Sequence, residues 1–81
     1  MRVYVADGCG SCGRARDLVA NLRLRRPHAD VELVDLTRPV PEEPLPAGLV
    51  GTPTYTVGGR VRWLGNPSLQ ELLDTVDRQR T

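Results

Sequence analysis

Positive charge in this chain comes from arginine alone; no lysine occurs in its 81 residues, a bias of composition that points to no function. Nor is there an excess of either sign: eleven basic side chains face ten acidic ones, for a formal net charge of +1. A protein built to hold a phosphate backbone needs a strong basic surplus, so no nucleic acid is expected as a partner. No apolar run approaches the ~20 residues that cross a bilayer, so no membrane is expected either. A strand-like pattern starts almost at Met1, which leaves no secretory signal within the sequence and makes a cytoplasmic location the expectation. Cysteine is nearly absent too, with two residues only. Stable structural disulfides are rare in a reducing compartment, so a lone pair there points to catalysis or metal binding rather than to a staple. The length allows one domain over 1–81, with a compact and marginal core.

What is present is the placement of those two cysteines. Cys9-Gly10-Ser11-Cys12 lies between an apolar run, Val3-Tyr4-Val5-Ala6, and a segment with apolar residues at helical spacing. A CxxC at the junction of a strand and a helix is the placement used by dithiol redox proteins. A thiolate at a helix N-terminus meets free backbone N–H groups and the positive end of the helix dipole. Both stabilise the anion, which is the nucleophile of disulfide exchange. Cys12, one turn further in, is in reach of Cys9 to close an intramolecular disulfide.

Along the chain, a first strand is expected over about Arg2 to Ala6, with Asp7-Gly8 as its loop. A helix follows from Gly10 or Ser11 to Arg25, since Cys12, Ala15, Leu18, Val19 and Leu22 form one apolar face. Arg25 and Arg26 suit its C-terminal dipole, and Pro27 stops it. A second strand covers Val31 to Leu36. Its Leu33, Val34 and Leu36 break strict alternation, which predicts burial on both faces. Four prolines between Pro39 and Pro46 exclude a long helix over Arg38 to Leu49 and leave room for a single turn from Pro41, with Glu42 and Glu43 in it. One face of the sheet is then expected to have thin cover. Thr54 to Val57 and Arg60 to Leu64 pattern as strands joined by Gly58-Gly59, a tight hairpin. A final helix runs from about Pro67 to Asp77 and can start in two ways: Asn66 as N-cap before Pro67, or a capping box of Ser68 with Glu71. The fold class is therefore α/β, in the order β-α-β-loop-β-β-α, a four-stranded mixed sheet with a shortened or missing second helix.

With the CxxC after the first strand, Gly51-Thr52-Pro53-Thr54 before the third, and a Gly-Gly hairpin leading to a last helix, the chain resembles the thioredoxin-fold superfamily. The small glutaredoxin-like proteins are nearest, and Tyr4, five residues before Cys9, matches them as well. The resemblance covers nearly the whole chain. It implies a thioredoxin-like fold and a cytoplasmic thiol–disulfide oxidoreductase in electron transport, with a redox-active disulfide and no cofactor or resident metal. Cys9 and Cys12 are then catalytic, with Cys9 the exposed nucleophile and Cys12 the shielded resolving group. Gly10, Ser11, Thr52 and Pro53 form the substrate-binding surface. Pro53 follows a cis bond beside the cysteines, and Thr52 offers its backbone to the substrate. The implied partners are a disulfide-containing substrate, a protein above all, and an electron donor that is either a protein dithiol reductase or glutathione.

The chain also departs from these relatives. Gly8 stands where thioredoxins carry tryptophan, and Val3 where they carry a buried acid. Ala6 stands where glutaredoxins carry a basic residue, and Gly65-Asn66-Pro67-Ser68 replaces the segment that opens their last helix. Asp7 is a turn residue whose charge opposes a Cys9 thiolate. Arg14 and Arg16 are expected on a solvated helix face, His28, Arg60 and Arg62 in solvent, and Tyr55 and Trp63 packed on the sheet, with an edge of the site as the alternative for Tyr55. The alternative function is binding of a soft metal, Cu(I) or Zn, by the two thiolates. A third is a non-enzymatic interaction module on the same fold.

Overall fold

The computed structural model describes residues 1–38 and 45–79. Four strands and two helices follow one another as β1 (Arg2–Val5), α1 (Cys12–Arg25), β2 (Glu32–Asp35), β3 (Thr54–Val57), β4 (Arg60–Leu64) and α2 (Leu69–Gln79). The strands form one mixed sheet in the order β2-β1-β3-β4. β1 is parallel to β2 and antiparallel to β3, and β3 is antiparallel to β4. The architecture is thus the mixed α/β one expected, with β1 one residue short of the expectation, β2 one residue short at each end, α1 beginning at Cys12 rather than Gly10 or Ser11, and α2 beginning at Leu69 rather than Pro67.

Both helices pack on one face of the sheet. Val3, Val5 and Tyr55 from the sheet meet Cys12, Ala15, Leu18, Val19 and Leu22 of α1 and Leu72, Leu73 and Val76 of α2 in a single buried cluster. At the far end of α1 the Arg26 guanidinium makes two hydrogen bonds to Asp77 of α2, at 2.7 and 3.0 Å. This pair is half exposed and orients the helices more than it stabilises them. α2 begins with the capping box: Ser68 Oγ accepts from the Glu71 N–H, and the Ser68 N–H donates to Glu71 Oε1, each at 3.1 Å. Of the two possible helix starts, the box is realised, and Asn66 is left for another task.

The opposite face carries Tyr4, Thr54 and Thr56, all buried. The thin cover expected there does not open an apolar surface at its centre. Two of the three side chains are threonines whose hydroxyls donate to backbone carbonyls, Thr54 to Gly51 at 2.6 Å and Thr56 to Arg2 at 3.3 Å. The segment at Pro46 lies over this side, where it shares a cleft of about 340 Å³ with Met1, Arg2, Tyr4, Thr56 and the Gly58-Gly59 turn. Among the described residues no helix lies between β2 and β3. The turn expected at Pro41 with Glu42 and Glu43 lies outside the described residues.

β2 corrects one expectation. Leu33, Val34 and Leu36 are half-buried rather than buried, and Glu32 is exposed. The strand pairs with β1 alone and stands at the edge, so its run of apolar residues reflects partial cover on each side. A register shift between Tyr55 and Thr56 gives β4 one residue more than its partner. Trp63 therefore faces the helices opposite Tyr55, with the rings edge-to-face at 6.1 Å, while Val61 faces the other side opposite Thr56. Without the bulge the two would share a face. Gly58 and Gly59 both have positive φ, as a two-residue hairpin turn of type I′ requires.

Leu22 is fully buried and Leu24, two residues on, is 79% exposed. Leu22→Ala is expected to cost about 2–5 kcal/mol of unfolding free energy. Leu24→Ala should change it by less than about 0.5 kcal/mol. Urea denaturation of the two variants checks the assignment of the helix faces.

Candidate functional site

The strand directions decide where the site is. Val5 pairs with Asp35, Tyr4 with Thr54, and Thr54 with Leu64. The C-terminal ends of β1, β2 and β4 and the N-terminal end of β3 thus lie at one end of the sheet. Four chain segments leave or enter there: the CxxC loop, the turn at Thr37, the Thr52-Pro53 segment, and Gly65-Asn66. The structure brings together all the residues expected at the site.

Cys9 and Cys12 are joined as a disulfide, with Cα atoms 5.4 Å apart. Cys12 is the first residue of α1, 2% exposed, and part of the core. Cys9 is half-buried at the mouth of the loop, and its neighbours Gly10 and Ser11 are exposed. Of the two, Cys9 is the accessible one. The Cys12 N–H points back to the Cys9 carbonyl at 3.3 Å, which holds the loop as one turn at the head of the helix.

Ser11 is the N-cap residue of α1, but its backbone is helical (φ −101°, ψ −3°) and its side chain makes no cap hydrogen bond. No acidic residue sits in the first turn either. The backbone N–H groups of that turn are therefore not taken by a serine oxygen or a carboxylate. Apart from the Cys12 N–H, which is turned to the Cys9 carbonyl, these groups and the helix dipole are placed to favour negative charge at Cys9.

On the other side of Cys9 stands the Thr52-Pro53 segment, whose peptide bond is cis. Cys9 Sγ lies 3.4 Å from the Thr52 carbonyl oxygen. That oxygen is in reach to accept a hydrogen bond from a Cys9 thiol, and it disfavours the thiolate by the same geometry. Helix and carbonyl thus act on Cys9 in opposite directions. Pro53 is buried, and its carbonyl accepts from the Gly65 N–H at 2.8 Å. Gly65 has φ +85°, a backbone open to glycine, so the end of β4 turns directly against the segment.

Two further residues fix the CxxC loop. Before it, the Asp7 N–H donates to Thr37 Oγ1 at 2.7 Å, and the Thr37 N–H donates to Asp35 Oδ1 at 3.0 Å. The Thr37 bond, helped by Arg16 at 3.3 Å and opposed by partial burial, holds the Asp35 carboxyl below the usual carboxylate range. Arg16 pairs with Asp35 while its side chain stays 41% exposed, on the solvated helix face expected for it. Within the loop, Asn66 Nδ2 donates to the Ser11 carbonyl at 2.9 Å, and Asn66 Oδ1 accepts from the Tyr55 hydroxyl at 2.8 Å. Sequence patterning placed Tyr55 on the sheet and Asn66 at a helix start; their joint reach to the CxxC loop depends on the register of β3 against β4, which no local signal reveals. Asp7 and Arg14 are exposed, as is His28. Arg62 lies over the Trp63 ring at 4.6 Å, and Arg60 is exposed.

The pair of sulfurs is compatible with redox exchange or with a soft metal. Among the described residues no group of three or more His, Cys, Asp or Glu side chains gathers as a metal site. A tetrahedral Zn site needs four ligands, so two thiolates alone fall short of it. No helix among the described residues is long and apolar enough to cross a membrane.

Burial of Tyr55 raises its phenol to about pH 12, with Arg14 pulling weakly the other way. The neutral phenol is favoured by folding. Its contribution is complete below pH 10 and is lost as pH rises through 10 to 12, where the unfolded chain ionises first. Stability should fall across that window in the wild type, and Tyr55→Phe should remove that part of the slope. Denaturation at several alkaline pH values, with absorbance of the phenolate, checks this.

No protein-family model, curated protein or solved structure matches this chain.

Proposed function

We propose that the protein is a thioredoxin-like thiol–disulfide oxidoreductase. The element order, the strand order and the cysteine pair fit a thioredoxin-like arrangement. One observation carries the function: Cys9 is accessible between an uncapped helix N-terminus and the Thr52 carbonyl, while Cys12 is buried directly behind it. A structural disulfide needs neither the open helix end nor the difference in exposure.

In the reducing direction the Cys9 thiolate attacks one sulfur of a substrate disulfide. The substrate S–S bond breaks, a Cys9–substrate mixed disulfide forms, and one substrate thiolate leaves. The Cys12 thiolate then attacks Cys9 Sγ. The Cys9–Cys12 bond forms and the second substrate thiolate leaves. Two electrons pass to the substrate, which takes up two protons as its thiolates become thiols. A dithiol donor reverses these steps at Cys9 and restores the pair. The Thr52-Pro53 segment and the Gly10-Ser11 turn frame the path along which a substrate chain reaches Cys9.

The donor follows from charge. Glutathione carries two carboxylates, and the site offers them Ala6 where a basic side chain would attract them, with Asp7 beside it. A protein dithiol is the better donor on this ground. In a coupled reduction assay at matched driving force, a protein dithiol should outpace glutathione, and Asp7→Asn should raise the glutathione rate. Fast, saturable turnover with glutathione that Asp7→Asn leaves unchanged would contradict both points.

The mechanism is tested by trapping. Cys12→Ser should accumulate mixed disulfides with a protein disulfide substrate, and Cys9→Ser should form none and lose turnover. Limiting alkylation of the reduced wild type should label Cys9. Preferential labelling of Cys12, or equal trapping by the two variants, would reverse or remove the roles assigned here. If the reduced pair instead takes up Cu(I) tightly and exchanges no disulfide, the soft-metal function replaces the redox one.

A further inference from the structure

Asn66 is a polar side chain that joins the CxxC turn to the buried interior. Its amide sits between a hydroxyl and a carbonyl, and that setting fixes its orientation. The Ser11 carbonyl can only accept, so Nδ2 must face it, and the Tyr55 hydroxyl must then donate to Oδ1. Tyr55 is fully buried and edge-to-face with Trp63, so its hydroxyl is a rigid donor. Asn66 itself is held by Gly65, which is bonded to Pro53. The amide is thus locked from behind before it reaches the loop.

The loop has need of such a hold. Gly8, Gly10 and Gly13 surround the cysteines, and none meets another atom within 4 Å of where a β-carbon would stand. Nothing in the packing demands glycine at Gly10 or Gly13. These residues give the turn freedom once the disulfide opens. While the disulfide is closed, the ring of Cys9 to Cys12 is already constrained and the Asn66 bond adds little. In the dithiol the Asn66 bond acts beside the Cys12 N–H to Cys9 carbonyl bond at 3.3 Å and the Ala15 N–H to Ser11 carbonyl bond at 3.2 Å, and of the three it alone ties the turn to the end of β4.

On the exchange chemistry proposed above, we infer that Asn66, oriented by Tyr55, is a positioning residue that holds the reduced CxxC turn in its disulfide-ready shape and thereby sets the redox equilibrium of Cys9–Cys12 and the rate of its resolving step. Asn66 does not touch the sulfurs or the substrate. It acts through the Ser11 carbonyl, one residue before Cys12. Removing it frees the dithiol more than the disulfide, so the pair should become easier to reduce. The mixed disulfide at Cys9 should also live longer, since Cys12 meets Cys9 Sγ less often.

The experiment equilibrates the full chain with glutathione redox buffers and quantifies dithiol and disulfide by mass after alkylation. Asn66→Ala should shift the equilibrium about tenfold toward the dithiol, which is ~30 mV for a two-electron couple. Asn66→Asp keeps the acceptor for Tyr55 but cannot donate to Ser11, and should shift it in the same direction. Tyr55→Phe keeps the ring and loses the orienting hydroxyl. It should give a smaller shift, and combined with Asn66→Ala it should add nothing to Asn66→Ala alone. In single-turnover reduction of a protein disulfide, Asn66→Ala should slow release of the second thiol and leave the first attack unchanged. A role confined to stability would move the unfolding midpoint and leave the equilibrium and the two rates alone. A wild-type couple that titrates normally, with both Asn66 variants within twofold of it, overturns the positioning role while leaving the exchange chemistry intact. A wild type with no reversible couple overturns both.

Discussion

The antiparallel pairing of β1 with β3 is the constraint on which the site depends. β1 lies inside the sheet and ends where β3 begins, with Tyr4 opposite Thr54. The chain leaving β1 must therefore pass the chain entering β3. The first carries Cys9 and the second carries Thr52, and they meet at 3.4 Å although 43 residues separate them. β4 ends beside the start of β3, and β2, parallel to β1, ends beside its end. The Asn66 and Thr37 contacts to the loop follow from the same strand directions. Reversing either outer strand would carry one of these residues to the far end of the sheet.

Much of this arrangement was legible in the sequence because local chemistry specifies it. The helical spacing of Cys12, Ala15, Leu18, Val19 and Leu22 gives the buried face of α1 residue for residue. Gly58-Gly59 fixes a two-residue hairpin because both positions take positive φ. The cysteine spacing and its place between strand and helix mark the candidate site. Ser68 and Glu71 offered one start of α2 and Asn66 another. Local propensity ranks these alternatives equally, and the choice falls to a tertiary contact, since Asn66 is drawn away by Tyr55 and Ser11.

What was not legible depends on register and on position within the sheet. The apolar residues of β2 match a doubly covered strand, yet its place at the edge leaves them half-buried. Alternation along β4 puts Val61 and Trp63 on one face, and the bulge beside Arg62 separates them. Ser11 has the chemistry of a capping residue, but its backbone is helical and its side chain makes no cap hydrogen bond. Each case is a property of pairing or backbone angle that composition does not record. The chemistry of the site is sensitive to the last one, since a capping serine would occupy the same N–H groups that a Cys9 thiolate needs.

The account makes the Cys9–Cys12 pair a working couple rather than a staple, and its reduction potential distinguishes these most directly. The quantity to measure is the midpoint of the wild-type pair in an equilibrium titration with defined thiol–disulfide buffers. The account predicts a reversible two-electron transition between roughly −270 and −120 mV, the span of thioredoxin-like exchange proteins. A pair that stays oxidised well below about −300 mV, as structural disulfides do, or that never closes a disulfide at any poise, would contradict it.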